Sequence, residues 1–187
     1  MALTSLDNIG ISSSAEPFAN DETYQYDGSF IFTGNIASVT TGAFAGCSNL
    51  TSISIPNATH IAHGALKDCT NLVKLELPGI EYSSNDIFGG NQSNMLSLSY
   101  ITICNGTKSI GTAFSNLFNL ERLDLPQSIT CLTSNALSNT ALTSLELHNV
   151  QLNSQCFAGM DSLQKLTLSN CSYNATDLGL SSLATIY

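Results

Sequence analysis

One short phrase, Leu-x-x-Ile/Leu-x-Ile/Leu, often followed by Pro, returns along nearly the whole chain of 187 residues. It reads LTSISIP at residues 50–56 and LVKLELP at residues 72–78. Its central anchors are 20–26 residues apart, and they are Ile53, Leu75, Ile101, Leu123, Leu145, Leu166 and Ile186. A period near 22 residues predicts a solenoid, in which each repeat forms one coil and contacts only its neighbours. Stability must then come from the interfaces between coils.

Apolar and polar residues alternate within the phrase, so Leu75 and Leu77 lie on one face and Lys74 and Glu76 on the other. This period of two predicts one short strand per coil, and stacked coils align their strands as a parallel sheet. A second phrase, Ala-Phe-x-x-Cys-x-x-Leu, predicts a return segment whose Phe or Leu fills the interior. The predicted fold class is an α/β repeat solenoid. It is a right-handed coil with a parallel concave β-sheet of about eight short strands and an irregular or short-helical convex side.

The solenoid is expected to span residues 28–187, because residues 28–50 already contain an early coil with Phe30 and Phe32 in phase. Residues 1–27 lack the phrase and contain several acidic residues, which fits either a polar N-terminal cap or a disordered leader. The sequence stops inside a strand phrase at Tyr187. We therefore expect a longer natural protein, and a last strand that offers an edge for self-association.

One repeat is longer than the others because extra residues stand near positions 89–94, between the anchors Leu75 and Ile101. Insertions in repeat arrays form loops on one side of the array, and loops often have functional roles. The sequence predicts such a loop, either as a tolerated excursion or as a functional element.

Charge and hydropathy exclude two classes of partner. The net charge is −9 with only five cationic residues, so the chain has no basic surface to neutralise phosphates, and nucleic acid is excluded. No apolar run approaches the roughly 20 residues that cross a bilayer, which excludes membrane insertion. Residues 1–14 lack the basic start and apolar stretch of a secretory signal, which favours a cytoplasmic location.

The six cysteines show no Cys-x-x-Cys spacing and fall roughly once per coil, at Cys47, Cys69, Cys104, Cys131, Cys156 and Cys171. Cys47 and Cys69 occupy a column of the repeat that other coils fill with Asn91, Leu117, Thr140 and Met160. A column that exchanges Cys for large apolar residues predicts a small buried hydrophobe, in preference to a disulfide. This pattern fits a reducing compartment slightly better than an oxidising one.

Catalytic chemistry finds little support in the sequence. His60 and His63 form a local pair, but no further ligand accompanies them, and solvated turn histidines are the preferred interpretation. His148 has no nucleophile beside it, and no glycine-rich phosphate loop is present. We therefore predict no catalytic residue, no metal site and no cofactor, and a protein that is not an enzyme.

The outward residues of the strand phrases form the candidate binding face, which comprises Lys74, Glu76, Tyr100, Thr102, Arg122, Asp124, Ser144, Glu146, His148 and Lys165. Two interpretations stay open. Lys74 with Glu76 and Arg122 with Asp124 could be exposed ion pairs that only keep the sheet soluble. Alternatively, Tyr100 and Arg122 centre a mixed-charge patch, because these residue types are enriched at interface hot spots.

The stretches GAFAGCSNLTSISIP at residues 42–56 and GALKDCTNLVKLELP at residues 64–78 resemble the BspA-like leucine-rich repeats, and the resemblance extends over roughly residues 28–187. Proteins of that family occur on the surfaces of bacteria and protists, where some act as adhesins. The resemblance implies a non-catalytic module at the cell surface or secreted, which binds a host or partner protein through its concave face. An intracellular scaffold or assembly module is the alternative hypothesis.

Overall fold

The structure, a computed structural model, describes residues 28–32, 36–82, 87–174 and 178–180, and the backbone of Ser5–Leu6 and Thr185–Ile186. These residues form a parallel β-solenoid, and only two 3-10 helices of three residues each occur among them. The strands in chain order are β1 (Ser5–Leu6), β2 (Ser29–Ile31), β3 (Ser38–Val39), β4 (Ser52–Ser54), β5 (Lys74–Leu77), β6 (Tyr100–Ile103), β7 (Ser109–Ile110), β8 (Arg122–Asp124), β9 (Cys131–Leu132), β10 (Ser144–His148), β11 (Gln151–Leu152), β12 (Lys165–Ser169) and β13 (Thr185–Ile186).

The repeated phrase forms the strands of the main face, and the predicted fold class is confirmed. All eight predicted strands are present and parallel, but they form two sheets instead of one. The first sheet has the order β2-β4-β5-β6-β8, and the second has the order β10-β12-β13. Within each sheet the predicted columns stay in register, so Lys74 pairs with Tyr100, and Tyr100 pairs with Arg122. The repeat therefore sets the register, and one step between coils interrupts the sheet.

A second ladder of short strands runs beside the main face and continues past this interruption. Its sheet has the order β7-β9-β11, and single bridges such as Val39 to Ile61 and Tyr82 to Ile110 extend it toward earlier coils. β1 pairs with β3 in the same parallel sense. The coils are thus joined on more than one side.

The core is a single column of apolar side chains that runs between the ladders and the return segments. One phenylalanine from each of four coils is completely buried, at Phe44, Phe88, Phe114 and Phe157. The ring of Phe30 meets that of Phe44 edge-on at 5.0 Å, and the ring of Tyr82 lies 5.4 Å from that of Phe114. Aromatic pairs at these separations attract beyond their burial of area. The prediction that the Phe of the second phrase fills the interior is confirmed.

The return segment turns sharply two residues after each Phe or Leu of the second phrase. The residue at this position has a positive φ in every coil from the first to the sixth, at Gly46, Asp68, Gly90, Asn116, Asn139 and Gly159. Gly, Asn and Asp enter this left-handed region most easily, which explains why the column holds only these three types. The turn is therefore encoded locally in each repeat.

The inserted residues of the long repeat lie on the return side of the coil. Phe88 and Leu98 are ten positions apart, whereas Phe114 and Leu120 are six apart. The additional length forms a turn and the 3-10 helix Gln92–Asn94, and the side chain of Gln92 is buried. The insertion therefore packs against the coil and lies away from the candidate binding face.

The predicted domain boundaries stay predictions. The only described part of residues 1–27 is β1, so the choice between cap and leader lies outside the described residues. At the other end, β13 is paired to β12 along one edge, and Tyr187 is outside the described residues. Self-association along that edge remains a prediction.

Candidate binding face

The ten residues of the candidate binding face divide between the two sheets. Six of them lie on β5, β6 and β8 of the first sheet, in two columns at paired positions, and they are Lys74, Glu76, Tyr100, Thr102, Arg122 and Asp124. The remaining four lie on β10 and β12 of the second sheet, and they are Ser144, Glu146, His148 and Lys165. The structure therefore places the predicted residues on one side of the strands, as two groups.

Tyr100 is the centre of the first group. The hydroxyl of Tyr100 donates a hydrogen bond of 2.5 Å to Oδ2 of Asp124. The ammonium of Lys74 lies 5.2 Å from the centroid of the same ring, and the guanidinium of Arg122 lies 4.7 Å from it. A cation within about 6 Å of an aromatic face is attracted by the ring quadrupole. Three neighbouring strands thus hold one tyrosine between two cations. We call this group the tyrosine cluster; it comprises Lys74, Tyr100, Arg122 and Asp124.

Arg122 and Asp124 close the tyrosine cluster with a two-pronged ion pair. Nε of Arg122 donates to Oδ1 of Asp124 at 3.0 Å, and a terminal guanidinium nitrogen donates to Oδ2 at 3.1 Å. The hydrogen bond from Arg122 holds the pKa of the Asp124 carboxyl below its ordinary value, and the hydrogen bond from Tyr100 acts in the same direction. The carboxylate is therefore kept ionised, and the geometry of the pair is fixed by a planar fork.

Lys74 and Glu76 do not form the second ion pair that the sequence suggested. Lys74 lies over the ring of Tyr100, which its strand pairing places directly beside it. Glu76 instead accepts a hydrogen bond of 2.6 Å from the hydroxyl of Ser54 on β4. The predicted ion pair therefore forms between Arg122 and Asp124, and the predicted pair of Lys74 with Glu76 is wrong. Whether the first pair serves solubility or binding stays open.

The second group contains an ion pair of its own. The imidazole Nε2 of His148 lies 3.1 Å from Oε1 of Glu146, two positions away on the same strand. Ser144, Glu146, His148 and Lys165 are all exposed. The pair of His148 with Glu146 lies along one strand, whereas the contacts of the tyrosine cluster cross three strands.

A groove of about 750 Å³ separates the two groups. It is lined by both strands that face it, including Arg122 and Asp124 on β8 and Ser144 and Glu146 on β10. A second groove of about 380 Å³ continues it along the same boundary and shares Leu125 and Glu146 with it. The groove is the space left where the two sheets part.

The parting is visible in the backbone hydrogen bonds that begin each strand. At other steps a carbonyl accepts two N–H groups from the next coil, as the carbonyl of Ser99 does from Glu121 and Arg122 and that of Thr143 does from Gln164 and Lys165. Between β8 and β10, in the part of the chain that the structure describes, no such bond forms. On the return side the same two coils stay joined, since Asn116 N–H donates to the Ser138 carbonyl at 2.8 Å.

A shortened turn explains the parting. Leu137 and Leu142, which enclose the turn into β10, are five positions apart, whereas Phe114 and Leu120 in the preceding coil are six apart. The missing position is the one that Asn71 and Asn119 occupy in their coils, where each side-chain amide donates to a carbonyl of the preceding coil at 2.7 Å. The coil with β10 lacks both this residue and this bond. The sequence therefore contains a signal for the groove that the repeat period of 22 between Leu123 and Leu145 conceals.

The residues considered for other chemistry lie apart from the candidate binding face. His60 and His63 are exposed on a return segment, as predicted for turn histidines. Among the described residues no three His, Cys, Asp or Glu side chains gather as metal ligands do. Within the same residues, no helix has the length and apolar character needed to cross a bilayer.

The cysteine column is buried, as predicted. All six cysteines are present as thiols, and Cys69 Sγ donates to the carbonyl of Phe44 at 3.0 Å. Burial raises the pKa of Cys47 to about 11 and that of Cys69 to about 12. These two thiols therefore stay protonated near neutral pH, and they act as apolar filling of the coil.

Comparison with known families supports the reading of the repeat. A family model described as BspA type leucine rich repeat region matches the chain in six copies, over residues 14–94 and 91–184. No curated protein matches the chain significantly.

Among solved structures, a leucine-rich cell surface protein from Faecalibacterium prausnitzii is similar, with 20% identity and a TM-score of 0.55. The match covers 73% of this chain and 37% of the other, so this chain spans well under half of that protein's length. A leucine-rich repeat protein from Bacteroides ovatus has 13% identity and a TM-score of 0.31, over 75% of this chain and 61% of the other. At this level of identity the first similarity shows a shared fold.

Proposed function

The chain belongs to the BspA-type leucine-rich repeat family, and from this premise we propose that it is a non-catalytic module that binds another protein through its concave face. The observation that supports this most is the tyrosine cluster, in which Tyr100 is held between two cations and hydrogen-bonded to Asp124. Solenoids of stacked repeats offer extended surfaces of this kind for binding.

The tyrosine cluster has the properties of an interface hot spot. Tyr and Arg are enriched at such positions, because they combine apolar area with hydrogen-bonding capacity. Tyr100 is half-buried and fixed on both sides, so binding a partner orders few additional side-chain rotations. The side chain of Arg122 is 67% exposed and that of Asp124 is 39% exposed. A partner can therefore reach charged groups whose geometry is already set.

The cell-surface protein from Faecalibacterium prausnitzii adds a proposal about location. If this chain also acts at a cell surface, the partner is a protein of a host or of a neighbouring cell. The concave face is polar and mixed in charge, which suits a protein surface and not a lipid one.

A photo-crosslinking experiment tests the proposal. A crosslinking amino acid replaces Thr102, which lies on β6 between Glu76 and Asp124 in the second column of the face. In a matched protein it replaces Lys67 on the return side. We expect the partner to be captured from Thr102 and not from Lys67. Affinity for the captured partner is then measured with Tyr100→Ala and Arg122→Ala, and with Lys67→Ala as the control that removes one positive charge from the opposite side.

A loss of about tenfold or more in affinity for Tyr100→Ala or Arg122→Ala, with folding intact by circular dichroism, is the expected result. Equal affinity of these variants and Lys67→Ala would contradict binding through the concave face.

A second candidate, an intracellular assembly module, is favoured by the six cysteines that are all present as thiols. Proteins that work in oxidising compartments more often hold their cysteines as disulfides. Counting thiols in the protein isolated from its native cells under acid quench separates the two candidates. Six thiols together with a cytosolic fraction would contradict the cell-surface role.

A further inference from the structure

The two strand edges that line the groove face each other with their peptide groups directed into it. Arg122 N–H donates to Ser99 on the preceding coil, so the alternation of a strand directs the peptide groups of Leu123 toward β10. Lys165 N–H donates to Thr143 on the preceding coil, so those of Ser144 and Glu146 face back toward β8. Within the described residues no hydrogen bond joins these edges. The groove therefore presents backbone donors and acceptors from both strand edges.

The floor of the groove is apolar, and this distinguishes it from the rest of the strand side. Leu123 and Leu145 are 9% and 6% exposed, whereas the equivalent anchors Leu75, Ile101 and Leu166 are fully buried. Because the coils part on this side, the groove reaches the top of the core. An occupant with apolar groups facing inward would remove this leucine surface from water, which is favourable.

The rim of the groove is charged and has more acids than cations. Glu121, Asp124 and Glu146 line it together with Arg122 and Lys165. The positive charge of Arg122 is already directed at Asp124, and the whole chain has a net charge of −9. The rim therefore complements a basic occupant better than an acidic one.

We propose that the groove between β8 and β10 receives an extended basic-apolar segment of a partner protein, which adds a strand between the two sheets. A segment of about five residues matches the length of β10 and spans roughly 16 Å at about 3.3 Å per residue. Its apolar side chains meet Leu123 and Leu145, and its alternate Lys or Arg side chains point outward past the acidic rim. An extended backbone meets successive N–H and C=O groups of both edges at once, which is how strand addition obtains affinity.

This inference rests on the proposed function, because the groove lies on the same face as the tyrosine cluster and shares Arg122 and Asp124 with it. It specifies the form of the partner. The partner inserts a strand, whereas the proposed function alone requires only that it covers the face.

The test uses the full chain and an end-blocked peptide of about ten residues in which Val and Lys alternate. The control peptide has the same sequence with N-methyl groups on alternate backbone amides, which keep the charges and remove the donors that a strand needs. Amide hydrogen exchange is followed at Leu123, Leu125, Ser144 and Glu146. Lys165 N–H serves as an internal reference, since it is already bonded to Thr143.

We expect the Val-Lys peptide to slow exchange at these four amides by about tenfold or more, and the N-methylated peptide to have no such effect. Ser144→Pro should weaken binding of the Val-Lys peptide, because it removes one donor at the first residue of β10, a position where strands accept Pro. Ser144→Ala keeps the donor and should bind the Val-Lys peptide more tightly than Ser144→Pro does.

Three results would overturn the inference: equal effects of the two peptides, slowed exchange elsewhere but not at the four amides, or amides that are already protected in the protein alone. Tyr100→Ala could weaken partner binding while the peptide leaves amide exchange in the groove unchanged. That result would contradict strand addition and would still support binding through the concave face. Partner binding that is unchanged in both Tyr100→Ala and Ser144→Pro would overturn the concave face itself.

Discussion

The first and second sheets are built from the same phrase, yet they differ in how their coils connect. In the first sheet every step between coils has a ladder, and the polar side chains of neighbouring strands contact one another, as Tyr100 does with Asp124. Between the first and second sheets the ladder is absent, although Asn116 N–H still donates to the Ser138 carbonyl on the return side. The periodic phrase therefore decides where strands lie, and turn length decides whether they join.

The substitution with the largest expected effect on stability tests whether the two sheets unfold as one cooperative unit despite the groove. Phe114→Ala should lower the free energy of unfolding by about 3–5 kcal/mol, because it empties a completely buried site beside the ring of Tyr82. Return-side bonds join the sheets, so amide exchange should accelerate in both. The exposed Phe118 in the same coil gives the control, since Phe118→Ala should cost less than about 0.5 kcal/mol. Amides of β10 and β12 that keep their protection in Phe114→Ala would show two independent units.

A second change should close the groove. Insertion of one Asn between Ala141 and Leu142 restores the six-position turn of the other coils, and β10 should then pair with β8. Exchange of the Ser144 and Glu146 amides should slow by about fivefold for each new bond, which corresponds to about 1 kcal/mol.

The matched insertion adds an Asn between Phe118 and Asn119, where the turn already has its full length. It should destabilise the coil without slowing exchange at Ser144. Equal behaviour of the two insertions would contradict turn length as the cause of the groove.

A smaller effect concerns the tyrosine cluster, which only the first sheet has. Tyr100→Phe removes the hydroxyl that donates to Asp124 and should lower the free energy of unfolding by less than about 1 kcal/mol at pH 7, because the cluster is partly exposed. The pKa of Asp124 is below its ordinary value of 3.8, so folding favours the ionised form. The contribution is complete above about pH 4 and is lost as the pH falls through the lower folded pKa.

Chemical denaturation between pH 7 and pH 2.5 measures how the contribution of the Asp124 carboxylate to the free energy of unfolding depends on pH. The gap in stability between the parent protein and Asp124→Asn should narrow toward the acid end. A gap that stays constant with pH would show that the carboxylate charge has no role in the cluster.

The smallest effect is on thiol reactivity, and it sharpens the contrast between the strand side and the return side. Cys69 and Cys156 lie in return segments on either side of the groove, and both are completely buried. At pH 8 neither should react with a thiol reagent in the folded protein, whereas the partly exposed Cys131 and Cys171 should. Mass spectrometry locates the labels. Rapid labelling of Cys156 would mean that the parting of the coils reaches the return side.

The sequence predicted the strands because their signal repeats. A column such as Lys74, Tyr100 and Arg122 follows from phase alone, and the pairings confirm it. Lys74 contacts the ring of Tyr100 on the neighbouring strand and does not pair with Glu76 on its own strand. Residue spacing along one strand does not predict which of these two contacts forms. The groove escaped prediction because one residue fewer before Leu142 is offset by one residue more after Asp124, so the overall period stays at 22.

The parting of β8 from β10 also has a mechanical consequence. A stack of coils resists bending in proportion to the bonds that cross each step, and this step has lost them on one side only. Bending of the stack therefore concentrates there, with the return-side bond between Asn116 and Ser138 as the hinge axis. A tensile load on the protein would first widen this step, so the array behaves as two stiff segments joined by one compliant joint.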